Sequence, residues 1–149
     1  LTGLNNRGQF DRFLRSKYQH AHAGDTWCLI MLDIDDFKRI NDLYGHIVGD
    51  EALWQTASIL REAFDQSNAF VARYGGDEFA VILDCRDAEE ASRQIDTLHR
   101  ASARLNDQGN HPYSLSFSVG YAMYRPTDGM ENLIASADRR MYEQKKKQR

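Results

Sequence analysis

The stretch Trp27-Cys28-Leu29-Ile30-Met31-Leu32-Asp33-Ile34 is almost wholly apolar, then gives way at once to Asp35 and Asp36. A run this short and this apolar suits a strand buried on both faces. A chain holding such a strand needs a sheet with helices packed on it, and the remaining sequence provides both. After Asn5 and Asn6, each suited to capping a helix, Phe10, Phe13, Leu14 and Tyr18 recur at helical spacing. Phe37, Ile40 and Tyr44 predict a short helix ending near Gly45, and Leu53, Ala57, Leu60 and Phe64 a longer one over 51–64. Residues 68–74 and 78–83 read as strands with Gly75, Gly76 and Asp77 between them. Residues 88–105 read as a helix, 115–123 as a strand and 132–147 as a closing helix. Strands joined by both a hairpin and helical crossovers predict an α+β (mixed α/β) fold, with a central mixed sheet covered by helices.

Length and composition narrow the functional classes. A chain of 149 residues fits one compact domain, and 42% apolar with 28% charged residues excludes a disordered or fibrous chain. The net charge of −3 argues against general binding to nucleic acid or membrane surfaces, although residues 139–149 carry six bases against one acid. Cys28 and Cys85 each sit in an apolar, strand-like run and read as buried, reduced thiols. No apolar run reaches membrane-spanning length. The chain opens at Leu1 without a methionine, so a piece of a longer protein is expected.

The acids carry the functional signal. Gly75-Gly76 between two β-rich runs predicts a tight turn with positive φ. That leaves Asp77 and Glu78 unexplained, and solvated carboxylates near a hairpin tip would be the ordinary reading. Against it stands the second acidic group, where Asp33 and Asp35 share one face by the two-residue period. Carboxylates converging beside a dry core repel one another and are costly to desolvate unless a cation offsets them. Strand ends rich in carboxylate oxygen suit Mg²⁺, which takes the rest of its shell from water and phosphates. The residues alone therefore point to a Mg²⁺–nucleotide site where the two strands meet.

The arrangement resembles the GGDEF family of diguanylate cyclases, whose signature is complete from Arg73 to Phe79. Leu1-Thr2-Gly3-Leu4-Asn5-Asn6-Arg7 is similar to the family's LTGLxNR opening. Asp33 to Lys38, Asn41-Asp42, Tyr44-Gly45-His46 and Gly49-Asp50 resemble its DIDxFKxxND…GH…GD segment. Ser116 to Gly120 matches its SxSxG strand, and Ala137-Asp138 through Met141-Tyr142 to Lys145 its ADxxxY…K helix. Ordered motifs at family spacing are more specific than any one alone.

The resemblance implies a nucleotidyl-cyclase-like fold and the joining of two GTP molecules into cyclic di-GMP with release of two pyrophosphates. It implies Mg²⁺, or Mn²⁺ in its place, held by Asp33, the Ile34 carbonyl, Asp77 and Glu78. Asp77, Glu78 and Lys38 would serve the chemistry, with Asp77 also accepting the proton of the attacking 3′-hydroxyl. Asp50 and Asn41 would read guanine, with His46 near the base, although Asp50 also suits the N-cap of a helix starting at Glu51. Phe37, Gly75, Gly76, Lys145 and Arg149 would contact substrate, the two cations at the phosphates. Partners implied are GTP, the product and a second copy of the domain, with no nucleic acid. The domain would span 1–149 and be cytoplasmic, attached to an N-terminal sensory or dimerising region that leaves membrane anchoring open. Many relatives carry an inhibitory RxxD pair before the signature; here Gln66-Ser67-Asn68-Ala69 stand there, so that site is expected to be absent. A catalytically silent GTP-binding module is the alternative, disfavoured because no signature acid is lost.

Overall fold

The buried run becomes the second strand from one edge of a four-stranded sheet. In the computed structural model, which describes residues 2–65 and 67–147, it forms β1 (Trp27–Ile34), buried at every position. The other strands are β2 (Phe70–Arg73), β3 (Glu78–Asp84) and β4 (Phe117–Met123), and the helices are α1 (Arg7–Gln19), α2 (Phe37–Tyr44), α3 (His46–Phe64), α4 (Ala88–Asp107) and α5 (Met130–Lys147). The strand order is β2-β3-β1-β4.

The α+β class and the helical cover are as expected, but the sheet is antiparallel at every strand pair. The correction has a topological cause. The α2–α3 crossover returns the chain to run alongside β1 in direction, yet one strand position away, and β3 folds back into the gap. The β3–α4–β4 crossover likewise leaves β1 between its two strands. These interlocked split βαβ units have the ferredoxin-like arrangement. Among the described residues, parallel pairing is confined to one isolated bridge, Asn5 with Ala72.

Two apolar layers follow from the strand period. Cys28, Ile30, Leu32 and Ile34 join Leu53, Leu60 and Phe64 of α3 and Leu98 of α4. Trp27, Leu29 and Met31 join Phe10 and Leu14 of α1 and Leu133, Ala137 and Met141 of α5. Asn6 caps α1 through a reciprocal box with Gln9, at 2.8 and 2.9 Å. Asn5 instead donates its side-chain amide to the Val71 carbonyl at 3.0 Å.

Two glycines place the elements that carry the site. Gly45, at φ 88°, ends α2 and starts α3 in a single residue, donating to the Asn41 carbonyl at 2.8 Å and accepting from Gly49 at 3.1 Å. Helix α3 therefore begins at His46, not Glu51, and Asp50 lies inside it and caps nothing. At Gly120 of β4 the helix α5 lies directly on the strand. A Cβ there would stand 2.2 Å from Met141 N and 2.3 Å from Ala137 O.

Candidate active site

Asp33 continues the row Trp27, Leu29, Met31, so its side chain leaves the sheet on the α1–α5 face. It is only 5% exposed. Lys145, one turn beyond Met141 on α5, reaches it with Nζ 3.1 Å from Oδ2. The other oxygen, Oδ1, is buried and has no hydrogen-bond partner. Burial raises the Asp33 carboxyl above its ordinary value; Lys145 opposes the rise, and the neighbouring Asp77 and Asp35 add to it.

Directly opposite Asp33 in the β1–β3 register stands Glu78. Its carboxyl is also raised, first by burial and then by the charges of Asp138, Asp77 and Asp33, with Lys145 again opposing. Asp77 is pinned to the end of β1, because its carbonyl accepts the Ile34 N–H at 3.2 Å. Asp33, Asp77 and Glu78 therefore share one electrostatic neighbourhood, as the sequence suggests.

The turn between β2 and β3 runs over four residues, Tyr74 to Asp77, one more than the strand pattern predicts. Neither Gly75 nor Gly76 adopts positive φ, which corrects the expectation of a left-handed tight turn. The longer loop spreads the reversal over more residues, so no single residue needs the left-handed region. Tyr74 donates to the Glu78 carbonyl at 2.8 Å. Arg73 braces the loop from within: Nε lies 3.1 Å from the Gly75 carbonyl oxygen and Nη2 2.6 Å from that of Gly76. That role is absent from the motif reading. Its signal was the forked guanidinium placed next to two residues whose only polar groups are backbone.

A second brace was also missed. Asp35 accepts from the hydroxyls of Ser116, at 2.8 Å, and Ser118. The two serines repeat the spacing of Asp33 and Asp35, and Ser118 is the register partner of Asp33 on β4. Asp36 follows at φ 54° and starts α2, a conformation Asp tolerates better than most residues.

The remaining expected residues lie around α2 and α3. The Asn41 amide lies against Gly49, the residue before Asp50. Asp50 and His46 are exposed. Phe37 packs partly buried on the core. Lys38 is 92% exposed at its side chain and pairs with Asp42 at 3.5 Å. A cavity of about 410 Å³ opens beside Asp35 and Asp36, bounded by Arg39, Tyr44, Tyr113 and Ser116. Arg149 and Gln66 lie outside the described residues.

The donor set suits a hard divalent ion. Among the described residues no three His, Cys, Asp or Glu side chains converge tightly enough to form a complete metal cage. Mg²⁺ seldom uses one, since one or two carboxylates with water and phosphate oxygens complete its octahedron. A buried carboxylate oxygen without a donor, facing further acids, fits that demand.

The family model for the diguanylate cyclase GGDEF domain matches residues 1–149. The chain belongs to the GGDEF diguanylate cyclase family. It is 35% identical to the diguanylate cyclase DgcP of Pseudomonas aeruginosa over 149 residues, 98% of this chain and 22% of that protein. To the diguanylate cyclase VdcA of Vibrio cholerae it is also 35% identical, covering 97% of this chain and 43% of that one. This GGDEF chain thus spans less than half the length of these curated relatives. Among solved structures, the GGDEF domain of DgcB from Caulobacter crescentus, in complex with c-di-GMP, superposes with a TM-score of 0.83 at 33% identity, covering 99% of this chain and 89% of that one. Among the described residues of this GGDEF chain, no helix is long and apolar enough to cross a membrane.

Proposed function

We propose that this GGDEF domain condenses two GTP molecules into cyclic di-GMP, as the cytoplasmic catalytic portion of a longer protein. The observation that carries the reading is Asp33: a buried carboxylate with one oxygen on Lys145 and the other without a donor, facing Glu78. Retaining such a group costs stability, and a bound cation offsets that cost.

Mg²⁺, or Mn²⁺ in its place, would be held by Asp33, Asp77, Glu78 and the Ile34 carbonyl, and when bound supplies polarisation of the α-phosphate and neutralisation of the leaving pyrophosphate. Lys145 clamps the triphosphate, helped by Arg149 and Lys38. Neither Gly75 nor Gly76 uses a left-handed backbone, and a Cβ on Gly76 would meet nothing of this chain within 4 Å. Bare backbone there suits a close-lying phosphate. Asp50 accepts from the N1–H and N2–H₂ donors of guanine, with Asn41 on the remaining edge and Phe37 and His46 flanking the base. The 3′-hydroxyl of one GTP attacks the α-phosphorus of the other, Asp77 takes its proton, and the bond to pyrophosphate breaks. A second, equivalent step closes the ring. One copy presents one signature and one guanine pair, so two copies face each other across a two-fold axis.

The test is to incubate the purified protein with Mg²⁺ and GTP and identify products by mass spectrometry. Cyclic di-GMP with pyrophosphate is expected, and Asp33→Ala or Asp77→Ala should abolish it. GTP binding without product over a wide range of protein concentration would overturn the reading in favour of a silent module.

A further inference from the structure

We infer that Gly49 is a positioning residue for base selection, because its missing Cβ is the space in which the Asn41 side chain lies. The inference rests on the proposed reading of Asn41 and Asp50 as guanine contacts. Gly49 is buried inside α3, and its φ lies outside the left-handed region, so backbone geometry gives no reason for glycine. Alanine would favour the helix at this position. A Cβ on Gly49 would stand 1.8 Å from Asn41 Oδ1 and 2.9 Å from Cγ, and its three nearest neighbours all belong to the Asn41 side chain.

The arrangement follows from the α2–α3 corner. Asn41 sits in the last turn of α2, where its carbonyl accepts the Gly45 N–H. With α2 ending and α3 starting at Gly45, the Asn41 amide crosses onto the first turns of α3. It comes to rest at the residue preceding Asp50. The glycine therefore sets where the Asn41 amide rests on the helix that carries Asp50, the residue proposed to read the same base. Because the obstructed group is the end of a flexible side chain, Gly49→Ala moves the amide and leaves the helices packed. Losing one neutral hydrogen bond to the base lowers the preference for guanine by about three- to tenfold.

The experiment measures binding of the α,β-methylene analogues of GTP and ATP, which cannot release pyrophosphate, alongside thermal melts. Wild type, Gly49→Ala, Asn41→Ala and the double variant are compared. Gly49→Ala should bind the ATP analogue as wild type does, lose preference for the GTP analogue to the level of Asn41→Ala, and show no further loss in the double variant. Wild-type preference in Gly49→Ala, with preference lost in Asn41→Ala, overturns the inference. Unchanged preference in Asn41→Ala overturns the guanine reading of that residue instead. If Gly49→Ala melts early, the double variant should recover the wild-type melting temperature. A failure to recover shows that the Cβ meets something other than Asn41, and the inference falls.

Discussion

Gly120→Ala should damage both the fold and the site, because the added methyl group has nowhere to go. Its nearest neighbours are backbone atoms of α5, Met141 N at 2.2 Å and Ala137 O at 2.3 Å, so no rotamer change relieves the clash. To restore ordinary contact, α5 must lift from β4 by about 1 Å. Overpacking of a close-packed core costs roughly 1–3 kcal/mol, and a backbone clash belongs at the upper end, about 3 kcal/mol. For a domain of this size that corresponds to a melting temperature lower by about 6–12 °C. Because Lys145 lies one turn beyond Met141 on the same helix, the shift also loosens its 3.1 Å contact with Asp33 and weakens triphosphate binding in the protein that remains folded. Urea or thermal unfolding reads the first effect, and titration with the methylene GTP analogue the second. Gly129→Ala is the control, since a Cβ there would meet nothing within 4 Å. Should Gly120→Ala melt within about 2 °C of wild type while Lys145 keeps its role, the view of Gly120 as the seat of α5 would be wrong.

Glu78 gives a pH test. A carboxyl whose folded pKa is raised holds its proton more tightly when folded, so its favourable contribution is full below the unfolded value and is lost as pH rises through the folded one. Glu78→Gln should therefore stabilise the metal-free protein at neutral pH, with the gain vanishing as pH falls below the ordinary glutamate value of 4.5; equal gains at pH 4 and pH 7 in melting experiments would contradict the shift. Arg73→Ala should cost about 1 kcal/mol of stability, the charged hydrogen bonds being discounted for partial exposure. Its turnover of GTP should fall by about tenfold or more as the signature loop loosens, and unaltered turnover would remove the brace from the mechanism. Asp50→Ala should lower the GTP-to-ATP preference in competition assays while preserving triphosphate binding; since Asp50 does not cap α3, its melting temperature should change little. Specific activity should rise with protein concentration across a dilution series, and a flat profile at concentrations where sizing shows only monomer would rule out the two-copy reaction.

What the sequence made legible was whatever depends on local pattern. Trp27 to Ile34 had the right bounds because apolar continuity and the following acids mark both ends of β1. Asp33, Asp77 and Glu78 could be associated because each borders a strand, and the register places Asp33 opposite Glu78. What depends on neighbours in space was not legible. The antiparallel sheet follows from where β3 inserts, which no run of residues reveals. The start of α3 was hidden because Gly49 and the β-branched Ile47 and Val48 lower helix propensity, while packing against α2 overrides it. The Lys145–Asp33 pair links residues 112 apart, and its geometry depends on the close seat at Gly120.

The strand order also sets how the site opens in time. Residues 28–33 of β1 are paired with β3 on one side and β4 on the other, so their amides should exchange with solvent mainly through global unfolding. The four-residue β2 lies at the sheet edge, paired with β3 on one side and held on the other by Asn5 and by the packing of Phe70 and Ala72 against α1. Asp33 thus lies in the part of the sheet paired on both sides, and the loop between Arg73 and Glu78 joins the short edge strand to interior β3. Glu78, paired with Asp33 in the ladder, and Asp77, whose carbonyl holds the Ile34 N–H, are tied to β1, so fraying of the edge strand should loosen the Tyr74–Gly76 side of the loop first and leave the acids together.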